Sequence, residues 1–279
     1  MDQDSPSRTA MAAAMHRAAH QRLERGAIFA DPLAVPILDA AAQDRLDDWA
    51  ALPRRRGMRL FIAARHRFAE ERLAAAVATG IRQIVVLGAG LDTTALRGLH
   101  GERGVRYFEV DHPATQAWKR RRIAEAGLPA PAELTFAPVD FERQTLGDGL
   151  AAAGFDPLLP AFFVWLGVVP YLTEAAIFET LRFVAQVPRA EIVFDYANPP
   201  DQLEPAVRAA HEARAANVAA IGEPWLSYFD SADLAARLAA LGAAELDDLG
   251  PVEIQRRIFR RPDPIPTRSG GHILWTRWD

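Results

Sequence analysis

Gln83-Ile84-Val85-Val86-Leu87-Gly88-Ala89-Gly90-Leu91-Asp92-Thr93-Thr94 is the stretch on which the fold turns. From Ile84 to Leu87 every residue is apolar, as expected of a strand buried on both faces, and glycine closes the run. A strand ending in Gly-x-Gly lets the backbone turn sharply and approach a ligand closely, while a helix following it presents free N–H groups. The third glycine of a dinucleotide fingerprint is replaced by Thr93, which argues against a pyrophosphate-binding nicotinamide site.

Similar apolar runs recur at 105–110, 134–139, 162–166, 191–194, 245–249 and 272–278, most of them separated by helix-length segments. This alternation predicts an α/β fold, a largely parallel sheet with helices on both faces. Residues 8–77 are instead alanine-rich and helical in character, broken at Gly26, Asp31-Pro32 and Leu52-Pro53. Thr173 is placed to cap a helix carrying Ile177, Phe178, Leu181 and Val184 at a 3.6 period; Ser231 is placed to cap another carrying Leu234, Leu238 and Leu241. Residues 198–228 exceed the usual strand-to-helix connection and combine a helical piece, 203–220, with Gly222-Glu223-Pro224-Trp225, which reads as a lid.

Composition narrows the chemistry. The 279 residues are half hydrophobic and 24% charged, an ordinary globular profile, and the lack of cysteine removes disulfides, thiolate metal sites and cysteine nucleophiles. At a formal charge of −4, a nucleic-acid partner would need a local basic patch. The runs Arg54-Arg55-Arg56, Lys119-Arg120-Arg121-Arg122 and Arg256-Arg257 with Arg260-Arg261 read most simply as solvated faces, so no nucleic-acid partner is expected. The segment 158–172 is interrupted by Pro160, Gly167 and Pro170 and is shorter than the ~20 residues of a spanning helix, so no membrane partner is expected. The opening MDQDSPSRTA lacks a basic-then-apolar pattern, so the expected location is cytoplasmic. His16 and His20 have the i, i+4 spacing of helical metal ligands but no acidic third ligand, and no metal is expected.

The second run, Tyr107-Phe108-Glu109-Val110-Asp111, ends in acids 21 and 23 residues after Gly88, where a carboxylate can accept both ribose hydroxyls of an adenosine. Glu109 and Asp111 share a face, and Asp111, nearer the strand end, is the better candidate. Asp140, in Val139-Asp140-Phe141-Glu142, closes the next run, where an adenine amino group could be held. Gly-x-Gly, Asp and Asp at three successive strand ends describe a nucleoside pocket.

These motifs, together with Asp31-Pro32-Leu33, Ala64-Arg65-His66-Arg67-Phe68, His112-Pro113 and Val164-Trp165-Leu166-Gly167-Val168-Val169-Pro170-Tyr171-Leu172, occur in the order seen in the leucine carboxyl methyltransferase-like family of S-adenosylmethionine-dependent methyltransferases. The resemblance covers nearly the whole chain and is closest to the bacterial O-methyltransferase branch. It implies a class I methyltransferase fold: a Rossmann-like seven-stranded sheet with the last strand antiparallel, a helical N-terminal cover and a lid insertion after the fifth strand. The expected organisation is one domain, 1–279, with the cover at 1–79, the core at 80–197 and 229–279, and the lid at 198–228.

The family's contacts to S-adenosyl-L-methionine fall on Arg65, Gly88, Gly90, Asp111, and Asp140 with Phe141; Arg17 matches a basic N-terminal contact more loosely. Independently, Arg65 shares a helical stripe with Phe61 and Phe68 and needs a carboxylate partner, either the methionine carboxylate or an internal acid. Leu166 stands where many relatives carry glutamate. Asn198-Pro199-Pro200 resembles the motif of amino-group methyltransferases but follows the fifth strand, with Asp201 in place of the aromatic, and reads as a helix stop and turn. The expected activity is O-methylation of a small-molecule acceptor by in-line displacement. A carboxylate acceptor needs no base, whereas a hydroxyl would look to Tyr171, His112 or His211, with Trp225 and Tyr228 as acceptor walls on the lid. The alternatives are a nicotinamide-dependent oxidoreductase, and a cofactor-binding module without catalysis, at which Leu166 hints.

Overall fold

The computed structural model describes residues 7–141, 143–220, 222–267 and 270–279. Three helices lead: α1 (Arg8–Leu23), α2 (Ala40–Ala51) and α3 (Arg56–Ala78). Ser7 and Asp39 begin the first two by accepting from the N–H groups of Ala10 and Ala42. The alternating part follows as β1 (Gln83–Leu87), β2 (Arg106–Asp111), α4 (Pro113–Glu125), β3 (Leu134–Pro138), α5 (Leu146–Ala152), β4 (Ala161–Trp165), α6 (Glu174–Gln186) and β5 (Glu191–Ala197). Then come α7 (Pro205–Ala219), α8 (Ser231–Ala240), β6 (Glu245–Leu249) and β7 (Gly271–Arg277).

The seven strands form one sheet in the order β3-β2-β1-β4-β5-β7-β6. All neighbours are parallel except β7, which runs antiparallel to β5 and β6. Successive residues of β1 serve opposite faces. Val85 and Leu87 pack with Leu150 of α5, Leu181 of α6 and Leu238 of α8, whereas Ile84 and Val86 pack with Phe68 and Leu73 of α3. With both faces covered, the strands are continuously apolar. A third cluster joins Ala18 of α1 and Leu46 of α2 to Trp118 and Ile123 of α4.

Three local expectations need correction. The fifth strand continues through Asp195, Tyr196 and Ala197 rather than stopping at Phe194, because Asp195 is neutralised where it is buried. Asp230, not Ser231, caps α8, its carboxylate accepting from the N–H groups of Ala232 and Asp233. No α-helix follows Gly90: turns lead to a 3-10 segment at Gly101–Arg103, and the Asp92 carboxylate takes the Thr94 N–H, competing with helix formation. The helix N-terminus that cradles a pyrophosphate is therefore missing from this loop.

Strand order reverses between β1 and β4, and the carboxyl ends of the parallel strands open on one edge, where open α/β sheets bind ligands. Gly88, Asp111, Asp140, Gly167 and Asn198 each follow or close a strand on that edge.

Candidate functional site

The floor of the cleft is the β1 turn. Gly88 has φ +64, and a Cβ there would lie 2.4 Å from Val168 Cγ2, so both backbone conformation and space require glycine. The Gly90 N–H donates to Asp111 Oδ2 at 2.6 Å and the His112 N–H to Asp111 Oδ1 at 2.7 Å. Burial holds the Asp111 carboxyl above its ordinary value against these two bonds, yet the residue is only half-buried and each oxygen keeps a second lone pair. Asp140 follows β3 with Arg143 Nε 3.4 Å from its Oδ2, and the Phe141 ring beside it is 62% exposed. Gly88, Gly90, Asp111, Asp140 and Phe141 thus occupy three consecutive strand ends.

Thr93 has its own explanation. Its Oγ1 donates to Asp31 Oδ2 at 2.7 Å, the same oxygen that accepts from Arg17 Nε at 2.7 Å, and Arg17 Nη2 donates to the Leu91 carbonyl at 2.6 Å. Asp31 is 1% exposed, so the threonine and arginine neutralise and satisfy it, and they pin the helical cover to the Gly-x-Gly loop. Arg17, loosely matched to a cofactor contact, is committed to this joint. Asp31 was visible in the sequence as part of a motif, but its role was not. Close by, His66 Nδ1 lies 3.6 Å from Asp92; burial would raise that carboxyl, but His66, Arg17 and Lys119 hold it well below the usual range.

Across the cleft, Arg65 on α3 has an internal acid for a partner. Its Nη1 lies 2.9 Å from Asp195 Oδ2, while Asp195 Oδ1 accepts the Gly167 N–H at 2.6 Å. Gly167 has φ +74, and a Cβ there would lie 2.6 Å from Arg65 Nη2, so glycine lets the guanidinium tuck under the turn after β4. Arg65 Nε is buried with no hydrogen-bond partner. Leu166 packs among the apolar side chains around β1 and α3, so no polar side chain serves that position.

Tyr171 sits in the 3-10 segment Val169–Tyr171, where burial pushes its phenol up and nearby Trp225 and Arg65 pull it only partly back. Trp225 and Tyr228 both lean on His211 of α7, with ring centroids 4.9 and 5.4 Å from it; Tyr228 Oη is 3.1 Å from His211 Nε2. The segment is fastened beneath by the Leu226 N–H to the Pro170 carbonyl at 2.6 Å and Ser227 Oγ to the Val169 carbonyl at 2.8 Å. Glu223 reaches the start of α1, accepting from Ser7 Oγ at 3.0 Å and from the N–H groups of Arg8 and Thr9 at 3.2 and 3.1 Å. Ala10, in that turn, has its Cβ 3.2 Å from where a Gly90 side chain would begin. The 198–228 segment, α1 and the Gly-x-Gly loop therefore meet.

Three further histidines, His112, His20 and His16, are placed by local packing or capping. His112 caps α4, Nδ1 accepting from Ala114 N–H, and His20 Nε2 accepts from the N–H groups of Ile28 and Phe29. His16 packs edge-on to Trp49, its imidazole pushed down to about 3 by burial and by Arg55, Arg59 and Arg65. Among the described residues no cluster of His, Asp and Glu is arranged to hold a metal, and no helix is long and apolar enough to cross a membrane.

Comparison with known proteins agrees with this geometry. The family model described as leucine carboxyl methyltransferase matches residues 10–185. A Bacillus subtilis protein named "Putative S-adenosyl-L-methionine-dependent methyltransferase YktD" is 34% identical over 214 residues, covering 76% of this chain and 70% of that protein. A similarly named Saccharopolyspora erythraea protein is 37% identical over 171 residues, 60% of this chain and 58% of its own length. Among solved structures, a protein described as a "putative methyltransferase" from Thermobifida fusca superposes with a TM-score of 0.61 at 16% identity, covering 100% of this chain and 97% of that one. A DUF574 family protein from Streptomyces avermitilis superposes with a TM-score of 0.58, also at 16% identity, covering 96% and 97%. These two likenesses establish the fold.

Proposed function

Because the chain belongs to the leucine carboxyl methyltransferase family, and so to the S-adenosylmethionine-dependent methyltransferases, we propose that it methylates an oxygen of a small-molecule acceptor. The observation that carries this reading is the alignment of the Gly88–Gly90 turn, Asp111 and Asp140 at adjacent strand ends, facing Arg65 across the strand-order reversal. The residues fit the cofactor: Asp111 keeps free lone pairs for ribose hydroxyls, Asp140 and the exposed Phe141 suit the adenine, and the unpartnered Arg65 Nε is a donor for the methionine carboxylate. When bound, S-adenosyl-L-methionine supplies a methyl group on a sulfonium, open to in-line displacement.

The protein's part is alignment and dryness. In this reading the 198–228 segment is a lid, with Trp225 and Tyr228 walling the acceptor side, while α1 closes over the glycine turn. Tyr171, next to Trp225, positions the acceptor oxygen. Because burial holds its phenol protonated, it is poorly suited to take a proton, which favours a carboxylate acceptor that arrives ionised over a hydroxyl that needs a base.

Calorimetry tests the reading. S-adenosylhomocysteine should bind and NAD should not. Asp111→Ala should weaken binding by about 1.5–3 kcal/mol, one to two orders of magnitude, the worth of hydrogen bonds to a charged group. Unchanged affinity would remove Asp111 from the site, and tight binding without transfer to any of a panel of carboxylic acids and phenols would favour the non-catalytic module.

A further inference from the structure

The two ends of α1 are held by different means. From Ala14 to His20 every residue is buried, and Arg17 locks that half to Asp31 and to the Leu91 carbonyl. From Ser7 to Ala13 no residue is buried. A carboxylate reaches this looser end from far along the chain: Glu223 accepts from Ser7 Oγ and from the N–H groups of Arg8 and Thr9. Ionised, it also suits the positive end of the helix.

Glu223 belongs to a strip, 222–228, that is itself lightly seated. Gly222 turns at φ +83, and a Cβ there would meet nothing within 4 Å. In α7, which precedes the strip, His211 is the one buried residue among those whose burial is described. The strip rests on the turn after β4 through the Leu226 N–H and the Ser227 hydroxyl, and the Phe229 N–H beyond it reaches the Ala197 carbonyl at 3.0 Å. Elements with few buried side chains open at lower free energy than the core that carries them. The looser end of α1 and the strip are therefore two low-stability elements joined by one carboxylate.

What they cover is the glycine turn. Gly88 is exposed, whereas Gly90 is buried with Ala10 against it. We propose that the first two turns of α1 and the strip 222–228 open and close as one gate latched by Glu223, and that the cofactor enters and leaves only when this gate is open. At about 1.5 Å per residue, the contact over Gly90 lies about 10 Å along α1 from Arg17, so a small swing about the anchored end uncovers Gly90 while the Arg17–Asp31–Thr93 joint stays made. A gate shared by the two sides of the cleft also sets an order. An acceptor lying against Trp225 and Tyr228 holds the strip down, and through Glu223 it holds α1 over the cofactor. The cofactor therefore binds before the acceptor, and the methylated product leaves before S-adenosylhomocysteine. That order rests on the methyltransferase reading; the latch does not.

A chain without cysteine makes the test clean, because two introduced thiols are its only ones. Arg8→Cys and Pro224→Cys, both at exposed positions, are joined by a reducible bismaleimide, and S-adenosylhomocysteine exchange is followed by stopped-flow tryptophan fluorescence. The link should slow association and dissociation together by at least about tenfold, and its reduction should restore both. Glu223→Ala, which removes the latch without a link, should quicken association as well as dissociation, by about tenfold, the worth of hydrogen bonds to a charged group. Exchange at an unaltered rate in the linked protein, or quicker dissociation alone in Glu223→Ala, would overturn the gate. Chymotrypsin reads the latch with no ligand present, since it can cut at Met11 in α1 and at Trp225 and Tyr228 in the strip. Glu223→Ala should speed cleavage at both places; faster cleavage at one alone would overturn the coupling. Joint cleavage in a protein that binds no S-adenosylhomocysteine upholds the latch and overturns the methyltransferase reading.

Discussion

A buried ion pair stands on each half of the sheet, Lys119–Glu109 on one and Arg65–Asp195 on the other, and the two leave different atoms unfinished. On the β2 side, Lys119 Nζ lies 2.6 Å from Glu109 Oε2; both residues belong to one strand–helix unit and neither is more than 1% exposed. What remains over is an acceptor, Glu109 Oε1, and burial pushes that carboxyl up to about 7 even with the lysine beside it. On the β5 side, Arg65 and Asp195 come from positions 130 residues apart, the second Asp195 oxygen is satisfied by the Gly167 N–H, and the atom over is a donor, Arg65 Nε. A spare buried carboxylate oxygen is a strain within the core. A spare guanidinium N–H is an unmet donor, the one that the reading above assigns to an anion. Two pairs of like burial thus differ in whether the buried atom left without a partner is an acceptor or a donor.

The widest separation between the two pairs should come from Asp195→Ala. It leaves Arg65 as an uncompensated buried cation and frees the Gly167 N–H, and should cost roughly 3–5 kcal/mol of stability by urea denaturation. A loss below about 1 kcal/mol would mean that Arg65 is solvated and that the contrast is void.

A smaller effect should appear in the pH dependence of the β2 side. A glutamate free in the unfolded chain ionises near 4.5, and Glu109 in the fold near 7. Between those values the folded state holds a proton that the unfolded chain has released, so stability should fall as pH rises through the window, by at most about 1.4 kcal/mol per unit. Glu109→Gln should remove that slope, as read by denaturation midpoints from pH 4.5 to 7. An identical slope in both proteins would show that Glu109 is ionised throughout.

The smallest should come from the contact that ties cover to cleft. Glu223→Gln removes the charge at the N-terminus of α1 and turns one of its two accepting oxygens into an NH2 group that cannot serve its donor, a loss of about 1 kcal/mol at this helix end. Release of S-adenosylhomocysteine, followed by stopped flow, should quicken by less than about fivefold. Unchanged release would confine Glu223 to capping α1 and detach it from the cleft.

The sheet was legible because most strands are apolar over consecutive residues and the turns carry their own punctuation; the strand-end positions of Gly88, Asp111 and Asp140 were legible because strand ends are local. Partners were not. Nothing near Arg65 in sequence distinguishes Asp195 from the methionine carboxylate as its counter-ion, and Thr93 could be seen to break a glycine motif but not to serve Asp31, 62 residues earlier. His272, Asp248 and Asn198 escaped notice because an antiparallel last strand brings them together from three separate segments. Ser231 was mistaken for a cap since Asp230, one residue earlier, is an equally good one, and the choice depends on where the chain turns.

Glu223 also sets a clock. Its carboxylate completes the first turn of α1 across 216 residues of chain. At about 5–20 residues per second of synthesis, that turn waits on the order of 10–40 s for its partner to be made. Throughout that interval α1 can be held to the glycine loop only through Arg17, Asp31 and Thr93, so the turn that covers Gly90 lacks its Glu223 cap in the nascent chain.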